Sequence, residues 1–185
     1  MVDTSDGVGS DNFRKELEFI KSTINNYNIS PRCIHIGLIT FSGQVYNKFA
    51  LGQYSTKAQI MSAIDQIQYQ PGRRYTTEAI RYMNTQSFGQ FRGARSMAQH
   101  IGILVTNGQA TNTFAFQQEA QRAKQNGVSL YTVGIGQGVH QQSLISVSSD
   151  PKSRYSMAAQ NFDSLGDLAY PLSSRTSSGK CHGSQ

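Results

Sequence analysis

Ile101-Gly102-Ile103-Leu104-Val105-Thr106-Asn107-Gly108 is a short run of apolar and β-branched residues closed by a polar Thr-Asn-Gly turn. Such a run reads as a fully buried strand with an abrupt end. Two alternating segments precede it, Cys33 to Phe41 and Val45 to Ala50, and a second buried run, Ser129 to Ile135, follows. The stretches between them mostly carry helical spacing. Strands that alternate with helices imply parallel crossovers and a sheet covered on both faces. The expected fold class is α/β: a three-layer, doubly wound, mostly parallel sheet, with Val45 to Ala50 as an antiparallel hairpin strand at its edge. Ligands of such sheets gather outside the carboxyl ends of the strands, and Asn107 stands at one of those ends.

Outward from this strand, the first helix is expected from Asp11 to Asn26, with Phe13, Leu17, Ile20 and Ile24 as its apolar stripe. A second runs from Ser55, its cap, to Ile67, and a third carries Ala79, Ile80 and Met83. Thr113 to Gln125 is the helix after the organising strand, stopped by Asn126-Gly127. A short helix at Leu144 to Val147, an edge strand at Tyr155 to Ala158 and a last helix facing inward through Phe162, Leu165, Leu168 and Leu172 complete the domain. There is no internal repeat. The domain is expected over residues 1–173, with 174–185 as a flexible Ser-rich tail.

The chain's 185 residues suit one domain with a real core. Only 15% are charged, so Gln, Asn, Ser and Thr finish much of the surface. Net charge is +6, and Arg73, Arg74, Arg81, Arg92 and Arg95 lie close in sequence with Glu78 as the only acid among them. A basic surface can recruit polyanions. The readings are a solvated surface, an acidic glycan or protein partner, and nucleic acid; the last lacks zinc spacing, aromatic RNP motifs and a basic helix. No stretch approaches the ~18 apolar residues of a membrane span, and no signal-peptide pattern opens the chain. Asn28-Ile29-Ser30 is a glycosylation sequon.

Catalytic signatures are missing. Gly134-Ile135-Gly136-Gln137-Gly138 follows a strand, but a dinucleotide fingerprint would need its third Gly at Val139. His35, His100, His140 and His182 have no partner at ligand spacing, and nothing pairs a nucleophile with a base. No enzyme is expected.

Taken together, Asp3-Thr4-Ser5-Asp6-Gly7-Val8-Gly9, His35 to Ser42, the Gly72 to Ile80 loop, Gly93-Ala94-Arg95, Ile103 to Gly108 and Tyr131 to Gly136 resemble a von Willebrand factor type A domain of the matrilin and collagen-associated kind. The resemblance covers nearly the whole chain. Family members open with a strand leading into the Asp-x-Ser-x-Ser turn. Here only Met1 and Val2 precede Asp3, so the first central strand is largely missing and its neighbours are expected to have unpaired edges. A fragment, or a start assigned at an internal Met, is the expectation.

The resemblance also implies an adhesion site in which hard oxygen ligands hold a divalent ion, usually magnesium. Asp3 and Ser5 match its first two ligands. Gly7 replaces the second Ser, Arg74 falls at the Thr position, and Asn107 replaces the second Asp; Thr76 or Thr77 offers a hydroxyl only if the loop shifts. Three readings follow: Arg74 pairs with Asp3 in place of the ion, Arg74 faces solvent, or a magnesium site survives. No metal is the expectation.

Cys33 and Cys181 are both placed near the amino end of the sheet, which makes a disulfide between them plausible; a buried Cys33, with Cys181 paired elsewhere, is the alternative. The function implied is a secreted, non-enzymatic matrix adhesion module that binds a protein such as collagen without a metal. Its binding surface would be the loops of Asp3, Ser5, Gly7, Arg74 and Asn107, or a basic strip of Arg73, Arg92 and Arg95 facing an acidic glycan. A structural or self-assembling unit, with sister domains in a longer chain, and a metal-dependent receptor domain are the alternatives.

Overall fold

A computed structural model of the chain describes residues 1–89 and 92–177. Six strands form one sheet: β1 (Val2–Asp3), β2 (Leu38–Phe41), β3 (Val45–Phe49), β4 (His100–Thr106), β5 (Val128–Ile135) and β6 (Ser156–Ala159). Their order is β3-β2-β1-β4-β5-β6, and every pairing is parallel except that of β2 with β3. The helices are α1 (Ser10–Asn25), α2 (Lys57–Asp65), α3 (Thr76–Tyr82), α4 (Thr113–Gln125), α5 (Gln141–Val147), α6 (Lys152–Tyr155) and α7 (Ala169–Thr176).

Side-chain alternation along β4 sorts the two faces. Leu104 joins Phe41, Ile80, Phe116, Ala120 and Leu144 in the core beneath α3, α4 and α5. Val105 turns the other way, toward Phe19 of α1 and Leu172 of α7. Gly102 lets Met83 lie against the sheet, since a Cβ there would come within 2.2 Å of the Met83 sulfur. The expected three-layer, doubly wound sheet with an antiparallel edge is therefore the one observed.

Local boundaries differ from expectation for identifiable reasons. Strand β2 begins at Leu38, not Cys33, because backbone groups upstream are satisfied locally: Cys33 N–H donates to Ser30 O and Ile34 N–H to Asn28 O. Helix α2 is capped by Thr56 rather than Ser55, with Gln59 completing a reciprocal capping box. Helix α3 continues as a π-helical turn, Met83–Ser87. Strand β6 starts one residue later than expected, after the short α6. Helix α7 runs past residue 173 to Thr176, whose hydroxyl bonds the Tyr27 hydroxyl, so the ordered fold extends into the expected tail.

Strand β1 joins β2 and β4 only near their carboxyl ends, through Val2 opposite Thr40 and Val105 and Asp3 opposite Phe41. On the amino side of Met1 lies an apolar cavity of about 160 Å³, walled by residues that include Phe19, Leu38, Ile39, Ile101 and Ile103. A short Val/Ile strand fused ahead of Met1 should fill it. Each buried β-branched side chain contributes about 1.5–3 kcal/mol, against about 1–2 kcal/mol of backbone ordering per residue. The melting midpoint should rise by several degrees, at roughly 2–4 °C per kcal/mol; an unchanged midpoint in calorimetry would mean that β2 and β4 do not accept a strand there.

Candidate functional site

Asp3 ends β1, Asn107 directly follows β4, and Arg74 lies in the loop that enters α3, so all three meet at the carboxyl end of the parallel strands. The Asp3 carboxylate is fully buried. Its Oδ1 accepts from the Ser5 N–H at 2.9 Å, and its Oδ2 accepts from the Thr106 hydroxyl and from Arg74 Nε, each at 2.6 Å. The second arm of the guanidinium donates to Asn107 Oδ1 at 2.6 Å. Asn107 Nδ2 in turn donates to the Gly7 carbonyl at 2.8 Å. Charge-assisted bonds of this length are among the strong ones, and the fork of Arg74 spans both neighbours at once.

Two glycines make room for that fork. A Cβ at Gly108 would stand 1.8 Å from one terminal nitrogen of Arg74, and a Cβ at Gly7 would stand 2.9 Å from the other. Two backbone bonds fix the loop that aims Arg74: Asp6 N–H donates to Gly72 O, and Tyr75 N–H to Ser42 O. Tyr69 adds a brace, donating its hydroxyl to Ser5 O and accepting from Gly9 N–H.

The expected cluster of Asp3, Ser5, Gly7, Arg74 and Asn107 is thus brought together, with Arg74 turned inward. Thr76 opens α3 as a buried residue whose hydroxyl, like those of Ser5 and Thr77, has no partner among the described residues. The basic strip is not assembled in the same way. Arg73 and Arg92 are exposed, but Arg95 turns in to donate to the Cys33 carbonyl. Cys33 is disulfide-bonded, while Cys181 lies outside the described residues. Asn28 is exposed in the turn after α1. His100 stacks on Phe88 and His140 bonds Ser143; His182 lies outside the described residues.

Thr106, Tyr69 and Gly108 are contributors that pattern reading missed. So is Glu16, which sits three residues after Phe13 and four before Ile20 and hence on the buried face of α1. It is fully buried, and neither carboxyl oxygen has a hydrogen-bond partner among the described residues. Burial raises its pKa well above the ordinary value of 4.5, and the Asp3 charge raises it further, opposed by Arg74.

The sequence profile of the von Willebrand factor type A domain matches residues 1–171. The chain belongs to this family. Among relatives of this A domain, matrilin-2 of Mus musculus is 27% identical over 175 residues, covering 93% of the chain and 18% of the matrilin. Matrilin-4 of Homo sapiens is 30% identical over 171 residues, covering 91% of the chain and 27% of the matrilin. The collagen alpha-4(VI) chain of Mus musculus is 28% identical over 175 residues, covering 93% of the chain and 7% of the collagen. The A domain therefore spans a small part of each, and these relatives are secreted proteins of the extracellular matrix. Among solved structures, proximal thread matrix protein 1 of the mussel byssus, with a zinc-occupied MIDAS motif, superposes with a TM-score of 0.87 at 23% identity over 95% of this chain and 46% of that one. Manganese-loaded TRAP of Plasmodium vivax gives 0.75 at 23% identity, over 92% of this chain and 70% of that one. At these identities the likeness establishes the fold.

Those two neighbours carry metals, which raises the question of fit. The A domain's residues do not suit a hard divalent ion while Arg74 holds this position. Asp3 is the one carboxylate among the matched ligands, both of its oxygens are committed, and a guanidinium cancels its charge. The unpartnered hydroxyls of Ser5 and Thr76 alone supply too little charge.

Arg74→Ala should be costly, because it strands a buried carboxylate. The expected loss is about 3 kcal/mol, read as a lower urea midpoint at unchanged slope; a loss below about 1 kcal/mol would mean an ordinary surface pair. Glu16 gives a pH signature. Its folded-state pKa lies above its unfolded one, so its contribution is fully present below pH 4.5 and is lost as pH rises through the folded value. Glu16→Gln should match the native chain in melting midpoint near pH 4 and exceed it increasingly at higher pH; parallel pH profiles would contradict this.

Proposed function

We propose that this A domain is a non-enzymatic adhesion module of an extracellular matrix protein, and that it binds a matrix protein such as collagen without a metal ion. The observation that carries the reading is the Arg74 guanidinium, bonded to Asp3 and Asn107 in the space that Gly7 and Gly108 leave open. A fixed cation at that point can organise the three loops as an ion would, by neutralising Asp3 and tying β1, the α3 loop and the end of β4 together. The relatives support the setting, since matrilins and the collagen VI chain are matrix proteins built on a longer plan. The binding face is then the rim around Asp3, Ser5, Gly7, Arg74 and Asn107. The rival strip of Arg73, Arg92 and Arg95 is weakened by the inward turn of Arg95.

The test is retention on fibrillar collagen in magnesium and then in EDTA, with the native domain beside a Gly7→Ser, Arg74→Thr, Asn107→Asp triple variant. Equal retention of the native domain in both buffers, with EDTA-sensitive retention of the triple variant, is the expected result. Loss of native binding in EDTA would overturn metal-free adhesion.

A further inference from the structure

Net charge is +6, and the ion pairs show where the surplus does not lie. Lys15, Lys21, Arg74, Arg81 and Arg122 each meet a carboxylate. Among the described residues Lys124 and Arg175 form no ion pair, and Lys152 pairs only with Asp150, at 3.5 Å, whose side chain is 77% exposed. An exposed pair of that length contributes little and is readily exchanged.

These cations gather at the amino end of the sheet, opposite Arg74. Lys124 stands in the last turn of α4, ahead of β5; Lys152 opens α6, ahead of β6; Arg175 stands in the last turn of α7. Lys124 and Lys152 donate to one acceptor, the Ser148 carbonyl at the end of α5, at 3.4 and 2.6 Å. A cation at a helix C-terminus is favourable, and Lys152 alone supplies it, since it also reaches the Ser146 carbonyl at 3.4 Å. Lys124 adds a like charge. Burial lowers its pKa, and the Lys152 charge lowers it further, opposed by Asp150. An amide at 124 would cap the same carbonyl without the repulsion. On the other side of α6, Arg175 donates to the Arg154 carbonyl at 3.1 Å, and Arg154 returns a bond to the Arg175 carbonyl at 3.2 Å. Backbone oxygens thus fix the positions of Lys124, Lys152 and Arg175 and leave their formal charges in place.

We propose that Lys124, Lys152 and Arg175 form a second binding surface around α6, and that its partner is a sulfated glycan chain. Two ammonium groups converging on one point suit a tetrahedral anion with several oxygens better than a planar carboxylate. Such an anion accepts charge-assisted bonds from ammonium and guanidinium groups alike. A chain that repeats it can meet α4, α6 and α7 together and release a counterion at each contact. Nucleic acid carries a similar anion, but in the matrix setting of the relatives the abundant polyanions are sulfated glycans. Because this surface lies at the opposite end of the strands from Arg74, the inference stands apart from the adhesion reading.

The test is binding of the native domain to immobilised heparin over a series of salt concentrations, beside three double variants. Lys124→Gln with Lys152→Gln keeps a donor for the Ser148 carbonyl and removes both charges. It should bind about tenfold or more weaker, with a salt slope shallower by about two, and should melt no lower than the native domain. If it melts lower, Lys124→Gln alone, which leaves Lys152 on the carbonyl, carries the test with about fivefold weaker binding expected. Lys124→Arg with Lys152→Arg should bind as the native domain does. Arg73→Gln with Arg92→Gln, which removes two charges from exposed positions elsewhere, should do the same. Equal losses in the two glutamine double variants would mean a response to net charge alone and would overturn the surface, as would no native binding at physiological salt. Native binding to unsulfated hyaluronan or to double-stranded DNA as tight as to heparin would overturn the sulfated-glycan assignment.

Discussion

The pair between Asp3 and Arg74 is the interaction on which the carboxyl-end face depends. Asp3 sits on a central strand with no access to solvent, and burying a carboxylate there is tolerable only if its charge and lone pairs are met. Thr106, the Ser5 amide and Arg74 meet them together. Because those partners come from β4, the turn after β1 and the loop before α3, satisfying one carboxylate fixes three segments at once. The remaining arm of Arg74 extends the tie to Asn107, and Asn107 returns it to Gly7.

Much of the fold was legible in the sequence because the strands are runs too apolar to sit anywhere but inside. Ile103 to Thr106 and Leu130 to Ile135 needed no tertiary knowledge. The start of β2 was not legible: Ile34 and Ile36 alternate as a strand should, yet the backbone around them closes on local turns and never joins the sheet. Alternation reports which side chains want burial, and it is silent on where the amides find partners.

At the site, residue identity was readable and direction was not. The spacing placed Arg74 among the ligand positions but left its side chain free to face in or out. What decides the matter is empty volume beside Gly7 and Gly108, which exists only once the loops are folded. Glu16 was readable in principle, since a carboxylate on the buried stripe of an amphipathic helix is an anomaly that calls for a partner.

The glycine cradle also constrains how such a site can change over generations. A serine acquired first at position 7 would press on the guanidinium, and a threonine acquired first at position 74 would leave Asp3 buried without its countercharge. An acid acquired first at 107 would still face a fixed cation rather than an open coordination site. The steps at 7 and 74 therefore forfeit what the present arrangement supplies before another can repay it, and a carboxylate at 107 would hold the guanidinium more firmly. Single steps away from the guanidinium are consequently uphill or hold it tighter, and descendants of this domain are more apt to elaborate the rim around Arg74 than to recover an ion beneath it.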